Sequence, residues 1–208
     1  MSDALALAAL LLVAGPAIGT VCLAYPPFVR VWTAPREEHL ALVAAHPVPW
    51  RMANVGFTVA TVLTAAGLSV LAGSISVDEG PRAALVAGAV AYAVAGSLWC
   101  AILAIRTQTT PAIAAMVAAG AQTEPAETLI GSVIGGLYTS FLLTTGAALI
   151  ATGLALALSG GSASLVGWLA MIVAVLAVAR HVTSGDVIPA VIYLPSLLVG
   201  LALLLVGR

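Results

Sequence analysis

The sequence predicts an all-α integral membrane protein: six transmembrane helices arranged as three parallel helical hairpins, with short helical elbows on the cytoplasmic side. Three observations predict it. Hydrophobic residues fill 62% of the 208 positions and charged residues 7%, where a soluble chain is roughly a quarter charged; the mean hydropathy is +1.16. Six stretches are apolar over about 20 residues, the length that crosses a bilayer with every backbone hydrogen bond satisfied inside the helix. A short pattern, R-x-x-T-x-P/G, recurs at the same end of every second stretch.

The stretches are 4–26, 52–73, 83–105, 129–157, 164–180 and 187–207, none with a charged residue away from its ends. The first follows Met1-Ser2-Asp3, acidic where a cleaved secretory signal is basic, so it reads as a retained helix. Its Gly15-Pro-Ala-Ile-Gly19 pair favours close helix packing, and Pro16 removes a backbone donor and is expected to bend it. The second opens near Asn54, the one side-chain amide within the spans. With Tyr92 of the third and Tyr138 of the fourth, Asn54 is a candidate for lining a central cavity; a helix–helix hydrogen bond is the competing role. The fourth adds Gly131-Ser-Val-Ile-Gly135 and the hydroxyls of Thr139, Ser140, Thr144, Thr145 and Thr152, read as packing groups or a polar stripe. Cys22 and Cys100 lie in apolar runs without CxxC spacing and read as small buried hydrophobes.

Orientation follows from arginine, because cytoplasmic loops carry the excess of basic residues. Arg30, Arg36, Arg51, Arg106 and Arg180 fall on one side, Arg82 and Arg208 on the other. Both termini are therefore expected outside the cytoplasm, with 27–51, 106–128 and 181–186 inside.

The repeat lies in the junctions. Arg30-Val-Trp-Thr33-Ala-Pro35 recurs as Arg106-Thr-Gln-Thr109-Thr-Pro111 and again as Arg180-His-Val-Thr183-Ser-Gly185, a period of about 75 residues. It divides one membrane domain, 1–208, into units of approximately 1–78, 79–160 and 161–208. An arginine at a helix C-terminus complements the macrodipole and reaches lipid phosphates. Threonine is expected to N-cap the next turn, with Pro35 and Pro111 in first helical positions. The second elbow is expected to be a short helix with Ile113, Met116 and Val117 on one face. In the first, Leu40, Leu42 and Val43 spread over roughly 160° beside Arg36 and Glu37, the pattern of a polar cap. In layout the three hairpins resemble the mitochondrial carrier family. Those carriers place Pro-x-Asp/Glu-x-x-Lys/Arg at the ends of their odd helices, and Arg30, Arg106 and Arg180 lack that context, so no transport function carries over.

Most chemistry is excluded or unsupported. The chain has no lysine, which removes Schiff-base mechanisms. A net charge of -1 argues against a nucleic-acid partner. No H-E-x-x-H, G-x-S-x-G or phosphate loop occurs, and no ionisable group lies deep in a span, as ion-coupled pumps require. His39 and His46 are seven residues apart, about 10 Å along a helix, too far to share one ion unless Pro47 bends the chain. The expectation is a non-enzymatic protein without a cofactor, an accessory or interaction subunit whose polar cap, around Glu37, Glu38, His39, His46 and His181, faces the cytoplasm. Its expected partners are membrane lipids and another membrane protein or a second copy of itself. The alternatives are a facilitator for an apolar or amphipathic solute, and a cytoplasmic-face metal or cofactor binder using the three histidines.

Overall fold

The computed structural model describes residues 2–25, 30–31, 34–74, 78–185 and 193–206. Within them the chain is all helical, with no strand: α1 (Asp3–Ala24), α2 (Arg36–Ala45), α3 (Pro47–Ser74), α4 (Glu79–Ala118), α5 (Glu124–Leu158), α6 (Gly161–Ser184) and α7 (Tyr193–Val206). Five of these, α1, α3, α4, α5 and α6, are long and apolar enough to cross a membrane, and α7 is a shorter apolar helix. Arg208, Trp32 and Thr33 lie outside the described residues.

Helix ends follow their local chemistry. Ser2 caps α1 by accepting from the Leu5 N–H, and Asp3 sits in the positive first turn. At the end of α4, Gly120 adopts φ 78°, a left-handed conformation that L side chains avoid. The Gly120 and Ala121 amides then close on the Val117 and Met116 carbonyls. Gly185 ends α6 in the same region of backbone space, its amide on the His181 carbonyl.

The helices neighbour one another in chain order. α1 packs on α3, α3 on α4, α4 on α5, α5 on α6 and α6 on α7, and α7 returns to α1, closing a circuit. Neighbours run antiparallel: Gly15 meets Ala60 and Thr64 while Gly67 meets Leu12, so the numbering of α1 rises as that of α3 falls. Large side chains fill the interior. Leu12, Leu68, Leu71, Leu85, Tyr92 and Leu156 form one cluster, and Phe57, Trp99, Ile102, Phe141 and Leu142 form the next one toward α2. Trp99 and Phe141 stack with centroids 5.0 Å apart.

α4 and α5 are the departure from expectation. At 40 and 35 residues they reach about 60 and 52 Å, against a hydrocarbon layer of about 30 Å. The expected elbow at Arg106–Pro111 does not exist as a break: α4 continues through Pro111, which is buried in mid-helix, to Ala118. Thr109 caps nothing; its hydroxyl donates to the Ile105 carbonyl one turn back. Thr183 likewise stays inside α6, donating to Ala179. Pro35 precedes α2 at its N-cap position, with Arg36 the first helical residue.

The extension of α4 gives α2 a surface to cover. Leu40 and Val43 are buried with Val31, Trp50 and Ala114, flanked by Ile113 and Val117. The expected apolar face of the second elbow therefore meets α2, apart from Met116, which is 47% exposed. The first elbow has a working apolar side after all. Tertiary context narrows it to two anchors, Leu40 and Val43, three residues apart.

Candidate functional site

A group of polar and aromatic side chains gathers around Trp50 at the end of the bundle that carries α2. Trp50 opens α3 and is 1% exposed. Its indole N–H donates to the Arg106 carbonyl at 3.2 Å, tying α3 to α4. The Arg106 guanidinium lies over the same ring, 5.2 Å from its centroid, a cation–π contact. His39 of α2 meets Trp50 edge-on, with centroids 5.5 Å apart. The Nδ1 of His39 sits 3.2 Å from the Val31 carbonyl; a carbonyl only accepts, so Nδ1 carries the proton and donates. Burial pushes His39 below the usual imidazole value. The Val31 carbonyl opposes that shift in part, and the Arg106 charge adds to it.

A second tie joins α2 to the start of α5. Arg36 donates through Nε to Glu127 Oε2 at 2.6 Å and through its terminal nitrogen to Oε1, a two-pronged ion pair. Thr123 donates to the same carboxylate. Glu127 holds the Arg36 guanidinium above its ordinary value. Arg36 is half exposed, so solvent screens the pair. Beside it opens a polar cleft of about 760 Å³, lined in part by Arg36, Gln122, Thr123, Glu124 and Glu127.

The residues expected to form a site separate into distinct environments. Glu37 and Glu38 are exposed on α2 and His39 is half-buried beneath them. His46 is the joint between α2 and α3, its amide closing on Leu42 and Val43. His181 lies on α6, where Nε2 meets Thr139 Oγ1 at 3.2 Å and the ring meets Tyr138 edge-on. The three histidines are thus on different contacts, and among the described residues no three His, Cys, Asp or Glu side chains come together to hold a metal ion. Arg30 and Arg180 are exposed.

The expected cavity-lining trio separates as well. Asn54 is buried and donates to the Trp50 carbonyl of its own helix at 2.8 Å. Tyr92 is 2% exposed within the larger apolar cluster, its hydroxyl beside Thr64 and Ser196. Tyr138 packs against Trp99 and Phe141. A further buried contact, Thr61 Oγ1 to Tyr193 Oη at 2.7 Å, links α3 to α7. Of the two small-residue pairs, Gly15 and Gly19 pack closely, whereas Gly131 and Gly135 face open space.

Sequence reasoning places Trp50 only as an amphipathic ring near the inner membrane boundary and reaches neither its contacts nor the Arg36–Glu127 pair. Trp50 has a signal, an indole four residues before the buried Asn54. The ion pair joins residues 91 apart and has none. The chain matches no protein-family model, and no curated protein or solved structure matches it significantly.

Proposed function

We propose that the protein is a non-enzymatic membrane subunit whose α2 end, a helical cap raised above the bilayer, recognises another protein. The observation that carries this reading is the surplus length of α4 and α5 at that end, braced by α2. Spanning needs only about 20 residues. The exposed face of α2 presents Glu37 and Glu38, and the cleft beside Arg36 and Glu127 adds polar groups. Large side chains occupying the bundle interior, including Trp99, Phe141 and Tyr92, weigh against a solute path.

The finer architecture belongs to the same proposal. α7 serves as the sixth span, since it packs between α6 and α1. Duplication of a two-helix unit is supported by a repeated contact: Gly15 of α1 lies against Ala60 and Thr64 of α3, and Gly88 of α4 against Ala148 and Thr152 of α5. In both, a glycine meets an Ala-x-x-x-Thr ridge. The arginine excess puts the cap in the cytoplasm and both termini outside.

The test is purification of the full chain in native-lipid discs. Wild type is expected to carry a second subunit in fixed stoichiometry, and a Glu37→Lys/Glu38→Lys variant to lose it while keeping its helical content. A wild-type protein purified alone, and active in solute flux from liposomes, would replace this reading with the facilitator. That alternative draws on the hydroxyls inside the bundle, Thr61 with Tyr193 and Tyr92 beside Thr64 and Ser196.

A further inference from the structure

α2 is attached to the body by three kinds of contact. Leu40 and Val43 are buried against α4, Arg36 grips Glu127, and His39 is lodged between the Val31 carbonyl and the Trp50 ring. The first cannot titrate, and the second titrates only in the carboxylate range. His39 is the remaining group in the contact whose ordinary titration lies near neutral pH. Its Nδ1–H donates to the Val31 carbonyl in either protonation state, and the setting of the ring, half-buried and sharing Trp50 with the Arg106 guanidinium, favours the neutral form. From this geometry we propose that α2 is an acid-released latch, held down by neutral His39 and loosened when that imidazole takes a second proton. The inference concerns how the cap is held and stands whether or not the cap meets a partner.

A second proton on His39 has to sit at Nε2, because Nδ1 already donates to Val31. The resulting imidazolium would be half out of water and would share Trp50 with the Arg106 guanidinium. Like charges and lost hydration both oppose it there, and neither does once α2 swings into solvent. Charged groups on the packed elements do not reverse this. On α4 the group acting on His39 is Arg106. On α5, Glu127 and Glu124 act on Arg36. On α3, Arg51 is exposed. On α2 itself Glu37 and Glu38 are exposed, and His46 lies at the far end. Release uncovers an apolar strip of Trp50, Ala114, Ile113 and Val117.

A base that titrates lower when docked than when free leaves docking at full strength above the free value of 6.5, and docking weakens as pH falls through that value toward the docked one. Each unit between the two is a tenfold change in the docking equilibrium.

Hydrogen exchange of the full chain in lipid discs, corrected for intrinsic rates, reads the latch directly. Between pH 7.5 and 5.5 the amides of residues 36–45 are expected to lose protection severalfold while those of α3 and α5 keep theirs. His39→Phe, which keeps an edge-on ring and cannot titrate, is expected to abolish the pH dependence, and His46→Gln to retain it. Protection of α2 that does not change with pH, or that changes equally in His39→Phe, overturns the proposal. Should His39→Phe fail to fold, NMR titration of the His39 ring in wild type decides: a midpoint below 6.5 supports the latch, and one above it refutes it.

Discussion

Replacing Gly88 by alanine should push α4 and α5 apart, and the structure says which second change brings them back. A Cβ at Gly88 would overlap Thr152 Oγ1, and it would stand 3.0 Å from the Ala148 carbonyl oxygen and 3.1 Å from the Thr152 amide nitrogen. Overpacking of this kind costs about 1–3 kcal/mol. The worst overlap is with a side-chain oxygen, so Thr152→Ala removes it and leaves contacts that a shift of a few tenths of an ångström relieves. Most of the loss should return in the double variant. Gly15 offers a sharper contrast, because a Cβ there meets Thr64 Oγ1 and also lies 2.7 Å from the Ala60 carbonyl. Backbone cannot be trimmed, so Thr64→Ala should rescue Gly15→Ala much less well. Gly135→Ala is the control: nothing lies near that position, and alanine's better helix propensity gives a change between zero and about 1 kcal/mol in favour of folding. Unfolding in SDS mixtures, followed by circular dichroism, measures all five variants. Equal losses for Gly88→Ala and Gly135→Ala, or no rescue by Thr152→Ala, would refute the close-contact argument.

Three further outcomes follow from the same contacts. Tyr193→Phe removes the hydroxyl facing Thr61 while Thr61 keeps its bond to the Phe57 carbonyl, so the loss should be near 0.6 kcal/mol, the size of an average hydrogen bond between membrane helices, in the same SDS assay. Trp50→Phe deletes the indole donor to Arg106 and weakens the cation–π contact; about 1–2 kcal/mol of stability and part of the hydrogen-exchange protection of α2 should go with it. Arg36→Gln should loosen the start of α2 slightly in dilute buffer and by less in about 1 M salt, where the screening length of about 3 Å weakens the exposed pair without abolishing a contact shorter than itself. A large, salt-independent effect on α2 exchange would show that Arg36 acts by packing rather than by charge.

What could be read in advance tracks the physics of each region. The apolar spans were legible because lipid demands internally satisfied backbone, a rule that holds without tertiary knowledge. Four of the six expected stretches match long apolar helices to within about five residues at each end, 83–105 falls inside an α4 that runs on to Ala118, and the last overlaps the shorter α7. The region 106–118 was misread because Arg106, Thr109 and Pro111 each suggest an ending, while burial of Pro111 and Ala114 against neighbouring helices outweighs them. The same reliance on local pattern set Gly131–Gly135 beside Gly15–Gly19 as a packing pair; only the placement of neighbouring helices separates a filled contact from an open one. At the candidate site, His39 was found as a polar residue in an apolar chain. Its setting, a ring shared with Arg106 from 67 positions further on, was invisible without the fold.

Photo-crosslinking in cells can trap a protein at the α2 end, with a crosslinking residue placed in turn at position 38 on the exposed face of α2 and at position 80 at the opposite end of the bundle. One discrete adduct is expected from position 38, lost when Glu37 is changed to lysine, and none from position 80. Equal, diffuse labelling from both positions, or labelling of lipid alone at position 38, would contradict recognition of a protein by the α2 end.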